Sequence, residues 1–481
     1  MILFTLLICL FVLQVVVNVI GALGPELAFD ALWYHLTLPK LYLLHGGIYH
    51  IPGGLLYYSD MPKFAELLYV PALAVFGEIG AKLIHFSFGL LTCLLIYKLS
   101  RKFFSPFISF LAVAIFYANL VVAWESITAY VDLVRAFFEI SALWAFVQWW
   151  GNQKKKWLLL SALFVGFAIT TKLLTIGSLV IFSIFVIYRF IVAKARPHPD
   201  TLLKGEGTDL KGLLISLVTY WCTALLIPLP WFIFSYKFTG NPVYPFFSNV
   251  YPVQPHSLNP LLFFRDVWLL LTQASDPISP IYLLCLPLVI LLFKKFRPEI
   301  KLMAVYSFLA IIVWYITPRT GGGRFILPYL PAMSIVCAAT YAIFQKQLKN
   351  IFISRLLLTA IIVVAVISIG YRFVANKKYI PVIVGQQTKQ KFLTNNLNFS
   401  FGDFYDTDGY FKKHITSDDK VLLIGFHNLY YVDFPFIHET WLQPRDTFNY
   451  IATQQTDLPK KYKNWKLVYE NKQTMVKLYK Q

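Results

Sequence analysis

The chain has 481 residues, of which 58% are hydrophobic, 17% aromatic and only 14% charged. A soluble domain carries about 25% charged residues, so this composition excludes an ordinary cytosolic globule, and hydrophobicity this high excludes a disordered chain. The formal net charge of +19 is typical of a membrane protein whose cytoplasmic loops are rich in Lys and Arg and face anionic lipid. No basic, soluble, aromatic-interleaved module is present, so we expect no nucleic-acid partner.

Eleven apolar stretches approach or reach the length of about 20 residues that a helix needs to cross a bilayer. In chain order they are 1–23, 78–99, 106–123, 131–150, 157–171, 173–193, 213–234, 278–293, 302–317, 325–344 and 352–370. The first lacks the basic n-region and the cleavage site of a signal peptide, so we interpret it as a retained helix. Residues 157–193 fit two short helices that bend at 170–172, or one helix and a re-entrant piece. We therefore expect an all-α polytopic membrane protein with about eleven transmembrane helices.

Lys and Arg are concentrated in alternate loops, which are 100–105, 151–156, 194–212, 294–301 and 345–355. The positive-inside rule places these loops in the cytoplasm, so the N-terminus lies inside and the C-terminus outside. The outer segments are then 24–77, 235–277 and the polar tail 371–481. Because the tail contains a β-like run at 421–425, we expect a transmembrane domain, 1–370, and a small extracytoplasmic α/β domain, 371–481.

The first outer segment places Asp30 one to two turns after the first span, beside Phe29, Trp33 and Tyr34. In such a partly dry setting the pKa of a carboxylate rises, so that it accepts a proton near neutral pH. Asp is also a good N-cap, and a helix that begins at Ala31 is a structural interpretation of the same residue. The two interpretations are compatible.

Glu66 is a second acidic candidate in the same segment. Pro62 suits the first turn of a helix with Asp60 as its cap, and Glu66 then lies one turn inside an amphipathic helix that rests on the membrane surface. In a functional interpretation, Glu66 is a second catalytic acid or accepts a hydrogen bond from a sugar hydroxyl. In the structural interpretation, it is a residue on a solvated helix face.

Asp132 and Lys172 lie at the outer ends of later spans. The helix dipole favours a negative charge at the position of Asp132, and a local ion pair with Arg135 is its structural interpretation. An ionisable residue at membrane depth nevertheless indicates a functional site. Lys172 lies between apolar runs and is a candidate for binding an anionic head group.

Arg319 and Arg324 flank a glycine-rich run just outside a span. Arg binds phosphate with two N–H groups and stays charged at the interface, so the pair suits a lipid phosphate; snorkelling to the interface is the alternative. Tyr34 and His35 are candidate substrate contacts, although an interfacial aromatic belt and a structural His are the structural interpretations. No Cys/His cluster, HExxH or Walker motif indicates a metal or cofactor.

Four sequence pieces together resemble the GT-C superfamily of integral membrane glycosyltransferases. They are Asp30-Ala31-Leu32-Trp33-Tyr34-His35-Leu36 with Pro39 and Tyr42, then Ala129-Tyr130-Val131-Asp132-Leu133, then Thr239-Gly240-Asn241-Pro242-Val243-Tyr244-Pro245-Phe246, and finally Arg324-Phe325-Ile326-Leu327-Pro328-Tyr329-Leu330-Pro331. The closer resemblance is to bacterial members of glycosyltransferase family 39, the branch of protein O-mannosyltransferases, aminoarabinose transferases and Rgt-type enzymes. The order of the pieces fits over nearly the whole chain.

The resemblance implies inverting transfer of a sugar from a polyprenyl-phosphate donor to a lipid, glycan or protein acceptor at the outer face of the cytoplasmic membrane, with no metal required. It implies that Asp30 deprotonates or orients the acceptor hydroxyl and that Arg324 lies near the lipid phosphate, helped by Lys172 or Arg319. The best-known branches place a second acid directly after this Asp. Here the neighbour is Ala31, which leaves Glu66 or Asp132 as substitutes.

A transporter or lipid flippase is the alternative from another functional class. It would show paired broken helices at mid-membrane and a polar path across the bilayer, whereas the candidate residues here gather at the outer face. A non-catalytic assembly partner in envelope biogenesis is a third interpretation. An O-antigen ligase or polymerase is a further one among enzymes, but it would place its large outer loop late in the chain.

Overall fold

The computed structural model describes residues 2–195, 210–248, 260–272, 277–317 and 322–481. The first half contains α1 (Ile2–Ala22), α2 (Thr37–His45), α3 (Phe64–Ser100), α4 (Pro106–Tyr117), α5 (Leu120–Glu125), α6 (Asp132–Asn152), α7 (Lys155–Thr171), α8 (Ile176–Ala195), α9 (Leu210–Leu226) and α10 (Leu229–Thr239). The second half contains α11 (Pro260–Thr272), α12 (Ile281–Leu292), α13 (Pro298–Ile316), α14 (Gly323–Ile326), α15 (Leu330–Lys346), α16 (Ile351–Asn376), α17 (Ile380–Ile383), α18 (Lys389–Asn396) and α19 (Tyr410–His414).

Six helical segments in the described part of the chain are long and apolar enough to cross a membrane, or seven if the bent pair α9 and α10 counts as one span. Each of the eleven predicted stretches coincides with a helix or a helix pair, but several of these helices are short, such as α4 with 12 residues. The predicted helical membrane fold is therefore confirmed, whereas the number eleven is not.

Two breaks in the membrane helices position residues at one end of the helical bundle. Residues 157–193 form two helices, because Lys172 adopts an extended backbone (φ −155°, ψ 118°) between α7 and the next helical turn. Within α3, Gly77 interrupts the helix with φ 60° and ψ −155°, a conformation that only Gly adopts readily. The part of α3 before Gly77 therefore takes a different direction from the part that follows.

The C-terminal tail folds into the expected small α/β domain. Its strands are β1 (Val421–Ile424), β2 (Phe436–His438), β3 (Tyr450–Gln454), β4 (Lys466–Asn471) and β5 (Val476–Lys480), in the order β2-β1-β3-β5-β4. Strand β1 pairs in parallel with β2 and β3, whereas β5 pairs antiparallel with β3 and β4. All four residues of β1 are buried, as expected for a strand that has parallel neighbours on both sides.

The loop that follows β1, residues 426–433, anchors this domain on the first outer segment, and we call it the docking segment. It begins after Gly425, whose φ is 78° and where an added Cβ would lie 2.4 Å from the carbonyl oxygen of Gln454. The docking segment makes several polar contacts with the first outer segment and α3, and four of them show its position. They are Tyr430 N–H to Leu32 O at 3.3 Å, Tyr431 Oη to Glu26 O at 2.9 Å, Tyr430 Oη to Glu78 Oε2 at 3.0 Å and Lys40 Nζ to Asp433 Oδ1 at 2.7 Å.

Candidate active site

Asp30 and Arg324, which are almost 300 positions apart in the sequence, form a direct ion pair. Arg324 Nη1 donates to Asp30 Oδ2 at 2.7 Å, and Tyr34 Oη donates to the same oxygen at 3.3 Å. Asp30 occupies the N-cap position of a π-helical turn, Ala31–His35, but its side chain makes no capping hydrogen bond. Its carboxylate is therefore used for the contact with the guanidinium.

Asp132 and Lys172 complete a group of four charges that we call the outer charge cluster: Asp30, Asp132, Lys172 and Arg324. Lys172 Nζ donates to Asp132 Oδ1 at 2.6 Å, and Arg324 Nε lies 3.8 Å from Asp132 Oδ2. The Asp132 side chain is 1% exposed, whereas those of Asp30 and Arg324 are 16% and 15% exposed. The cluster is therefore buried at Asp132 and open to a ligand at Asp30.

The expected ion pair between Asp132 and Arg135 is wrong. Arg135 Nη2 bonds to Glu139 Oε1 at 3.2 Å and to Tyr329 Oη at 2.7 Å. Glu139 lies one turn further along α6, so that the guanidinium turns towards the inside of the bundle. Asp132 instead takes its cation from the end of α7, which local spacing cannot indicate.

Tyr130 connects the two acids of the outer charge cluster. Its hydroxyl accepts a hydrogen bond from the Asp30 N–H at 3.2 Å, and the Arg324 guanidinium carbon lies 4.7 Å from the centre of its ring. Tyr69 donates a hydrogen bond to the Tyr130 carbonyl oxygen. An aromatic face below a guanidinium stabilises the cation and fixes its plane.

Two residues hold the turn before Asp132 in place, and sequence reasoning did not identify the first of them. Glu26 accepts the N–H groups of Leu27 and Ala28 with Oε1 and that of Ala129 with Oε2 at 2.7 Å. His85 accepts the Leu133 N–H at 3.0 Å and so supports the start of α6. These bonds fix the distance between the first outer segment and the start of α6.

Glu66 is buried, so the interpretation of a solvated helix face is wrong. It is 6% exposed, and its Oε1 accepts a hydrogen bond from His35 Nδ1 at 2.7 Å. His35 follows Tyr34 in the π-helical turn, and its ring lies 5.5 Å from that of Tyr130. Glu66 and His35 therefore support the turn that carries Asp30, and their catalytic and substrate-binding roles stay predictions.

We expect Glu66→Ala to lower the free energy of unfolding by about 1–3 kcal/mol, because it leaves the buried N–H of His35 unpaired. Glu66→Gln should cost less, since the amide oxygen still accepts that bond. Chemical denaturation in detergent measures both, with Glu470→Ala on the exposed face of β4 as the control. If Glu66→Gln abolished sugar transfer at unchanged stability, Glu66 would be a proton acceptor and not a support.

Lys63 is a buried cation that sequence reasoning missed. Its Nζ donates to the carbonyl oxygens of Ser59 at 2.7 Å and of Met61 at 2.5 Å, and it lies 4.1 Å from the centre of the Trp231 ring on α10. Burial lowers the pKa of Lys63 to about 7, although Glu66 and Asp60 act in the opposite direction. Lys63 therefore joins the start of α3 to the bent helix pair α9 and α10.

The pKa of Lys63 predicts a pH-dependent stability. An unfolded Lys titrates near pH 10.4, so between about pH 7 and 10 the unfolded chain binds the proton that the folded chain has lost. Stability should therefore rise with pH across this window, by up to about 1.4 kcal/mol per pH unit from this residue. Thermal unfolding in detergent should show this rise for the native chain and for Lys463→Met, whose lysine is exposed. An equal rise of stability with pH in Lys63→Met would contradict the assignment of this pH dependence to Lys63.

Arg319, the remaining candidate, lies outside the described residues. Within the described ranges, no group of three or more His, Cys, Asp and Glu side chains is arranged to hold a metal ion. The charges gathered around Asp30 come from the first outer segment, the start of α6, the end of α7 and α14. This arrangement combines a partly exposed carboxylate with two cations, which suits proton removal beside an anionic leaving group.

Comparison with known proteins supports the expected family. Residues 67–223 match the family model described as dolichyl-phosphate-mannose-protein mannosyltransferase. Among solved structures, ArnT from Cupriavidus metallidurans in the apo state has a TM-score of 0.63 at 14% identity, and the alignment covers 98% of this chain and 97% of that one. The same enzyme bound to undecaprenyl phosphate has a TM-score of 0.57 at 14% identity, with the same coverage. A comparison with curated protein sequences found no match.

The predicted fold is thus confirmed, since the ArnT fold extends over almost the whole chain, including the C-terminal sheet domain. The family model covers α3 to α9 and therefore includes Asp132 and Lys172 but neither Asp30 nor Arg324. Residues 67–223 of the chain are therefore similar to the protein mannosyltransferase family, and almost the whole chain has the fold of ArnT.

Proposed function

We propose that the chain transfers a hexosyl or pentosyl group from a polyprenyl-phosphate donor to an acceptor hydroxyl, with inversion, at the outer face of the cytoplasmic membrane. The observation that carries this proposal is the contact of 2.7 Å between Asp30 and Arg324. It combines a carboxylate with the cation that suits a phosphate. Arg324 also lies 3.8 Å from Asp132, the carboxylate that holds Lys172.

In the proposed reaction the acceptor oxygen attacks the anomeric carbon of the donor sugar. The bond between that carbon and the phosphate oxygen breaks, and the phosphate leaves on the lipid with the electron pair. Asp30 takes the proton of the acceptor hydroxyl, a role for which one suitably placed carboxylate suffices. A single displacement of this kind inverts the configuration at the anomeric carbon.

Arg324 and Lys172 neutralise the charge that develops on the leaving phosphate. Arg324 offers several N–H donors in one plane, and stacking on Tyr130 fixes that plane. Asp132 holds the Lys172 ammonium at 2.6 Å and so keeps it near the guanidinium. Asp132 acts in this proposal through the cations, and it does not take the acceptor proton.

The lipid part of the donor is supported by the fold and by the apolar surroundings of the cluster. ArnT from Cupriavidus metallidurans, which shares the fold, binds undecaprenyl phosphate. A polyprenyl chain has to stay in the bilayer while its phosphate reaches the boundary with water. The alternation of basic loops supports an outward-facing site with the N-terminus inside and the C-terminal domain outside.

The test is sugar transfer by the purified chain in lipid nanodiscs. Synthetic undecaprenyl-phosphate sugars, each with one hexose or pentose, are incubated with glycoside, glycolipid and peptide acceptors, and mass spectrometry detects the released undecaprenyl phosphate and the glycosylated product. We expect release of the lipid phosphate with at least one donor. A transporter would instead move the intact donor across the bilayer of a proteoliposome without breaking the bond, and that result would replace the proposal.

A further inference from the structure

The docking segment brings a histidine of the C-terminal domain next to Asp30. His427 stacks on Phe29 with a ring-centre distance of 4.9 Å and an angle of 24° between the planes. Its ring also lies 4.5 Å from that of Trp33. Phe29 directly precedes Asp30, so the imidazole lies beside the residue that we propose as the proton acceptor.

The position of His427 follows from the topology of the sheet. In sheets with parallel strands, the loops at the carboxyl ends of the strands are the usual place for ligand-binding residues. Strand β1 is parallel to both of its neighbours, and His427 is the third residue after it. The loop therefore delivers a functional side chain from the C-terminal domain to the first outer segment.

Hydrogen bonds assign the tautomer of His427. Asn428 Nδ2 donates to Asp403 Oδ1 at 2.6 Å, so the amide oxygen of Asn428 faces His427 Nδ1 at 2.9 Å. Because an amide oxygen only accepts, Nδ1 has to carry the proton, and Nε2 of the neutral ring is left with its lone pair. Nε2 has no hydrogen-bond partner among the described residues. It is therefore available to accept a hydrogen bond from a hydroxyl group of a ligand.

Burial favours the neutral form of this imidazole. Burial lowers the pKa of His427, and the bond to Asn428 and the charge of Asp30 oppose this only in part. A neutral ring with a free lone pair accepts a hydrogen bond, whereas a protonated ring would only donate.

Phe401 extends the aromatic surface around His427. Its ring packs edge-on against Phe29 at 5.2 Å, yet the residue is 65% exposed. The neighbouring Gly402 makes room for the imidazole, since a Cβ there would lie 2.9 Å from His427 Cβ. Small-molecule sites are lined mainly by apolar and aromatic side chains with a few well-placed polar groups, and the side chains around His427 have this composition.

We propose that Phe29, Trp33, Phe401 and His427 form the acceptor subsite, and that they bind a carbohydrate ring. The aromatic rings cover the apolar C–H face of the sugar, and His427 Nε2 accepts a hydrogen bond from a hydroxyl on its edge. This inference rests on the proposed function and adds to it the class of acceptor. A peptide acceptor is disfavoured, because the four side chains offer aromatic rings and one hydrogen-bond acceptor but no edge that pairs with an extended backbone.

Steady-state kinetics tests the role of His427. The probes are octyl β-D-glucopyranoside, octyl α-D-mannopyranoside and the peptide acetyl-Ala-Thr-Ala-amide, each with the undecaprenyl-phosphate sugar that the native chain uses fastest. We expect His427→Phe to raise the KM for the glycoside by about tenfold, the effect of one lost hydrogen bond, and to leave the KM for the donor unchanged. His427→Gln should restore part of the affinity, since its amide oxygen also accepts a hydrogen bond.

The matched control is His414→Phe. His414 is an exposed histidine of the same domain that stacks on Tyr410 at 4.0 Å, and its replacement should leave both KM values unchanged. Equal glycoside KM values for the native chain and for His427→Phe would overturn the proposal. Transfer to the peptide but to neither glycoside would also overturn it.

A binding measurement keeps the subsite testable without transfer. The chain is labelled with 5-fluorotryptophan, and the ¹⁹F signal of Trp33 is identified by its loss in Trp33→Phe. We expect the glycosides to shift this signal in the native chain and in His414→Phe but not in His427→Phe, and the peptide to leave it unchanged. Failure of the proposed function would appear as no donor cleavage, whereas failure of the subsite would appear as no glycoside-dependent shift.

Discussion

Asp30→Asn is expected to lower the rate of sugar transfer by about 10²–10⁴-fold, the usual contribution of a general base. Asn has nearly the shape of Asp, and its amide oxygen still accepts the hydrogen bond from Arg324. It cannot accept a proton, however, so the acceptor hydroxyl has to react without a base. The KM for the donor should change little, because the cations that we propose as phosphate ligands are unchanged.

The measurement is a single-turnover assay with a saturating synthetic donor, which separates the chemical step from product release. Asp418→Asn is the control, because this residue is an exposed carboxylate in the C-terminal domain. Thermal unfolding of each variant in detergent shows whether the fold is retained. Turnover of Asp30→Asn at the native rate would remove Asp30 as the base, and with it the central part of the proposed mechanism.

Arg324→Gln is expected to lower the same rate by about 10²–10³-fold, because the charge on the leaving phosphate then loses one of its two cations. Arg324→Lys should recover only part of the rate. A lysine restores the positive charge but not the planar group of donors that stacks on Tyr130 and holds the Asp30 oxygen at 2.7 Å. The kcat should therefore decrease in the order Arg, Lys, Gln.

Loss of Arg324 also leaves Asp132 with Lys172 as its remaining cation in the cluster, so stability has to be measured together with activity. Arg445→Gln replaces an exposed arginine and serves as the control. Purified protein that still unfolds cooperatively but transfers sugar slowly supports the catalytic role. If Arg324→Gln and Arg445→Gln had equal rates, the cation would be a structural partner of the two acids and no phosphate ligand.

The sequence allowed the class of fold to be predicted because each membrane helix needs a long apolar run of its own. The break at Lys172 could also be predicted from the sequence, since two apolar runs meet there at a polar residue. The number of spans could not be predicted, because helices such as α4 are shorter than a bilayer crossing. Whether such a helix spans the membrane depends on its neighbours. The β-like run at 421–425 likewise indicated β1, but not which strands pair with it.

The candidate site was predictable in part, for a related reason. Asp30, Asp132, Lys172 and Arg324 were selected because each lies at the outer end of an apolar run, and helix ends at one depth lie close together in a bundle. The structure brings these four residues together, and their chemical roles remain to be tested by the variants above. The local pattern failed where a partner lies on another element, as for Glu66 with His35 and Arg135 with Tyr329.

Residues of the site without a sequence motif could not be found in this way. Glu26 is recognisable only from its bond to Ala129, more than 100 positions away, and His427 only from its contact with Phe29, about 400 positions away. A lone acid or histidine is common in any chain, so its type alone carries little information. The positions of such residues depend on how the C-terminal domain packs on the first outer segment.

The ion pair between Asp30 and Arg324 has a consequence for the order in which substrates arrive. Before the donor binds, the base and the guanidinium neutralise each other, so an acceptor that enters first meets a carboxylate already in use. A lipid phosphate competes with Asp30 for the same guanidinium N–H groups, and its arrival releases the carboxylate for the hydroxyl. In the proposed mechanism the ion pair therefore prevents the activation of water or acceptor in the absence of the donor, and we expect a compulsory sequence in which the lipid-linked sugar binds first.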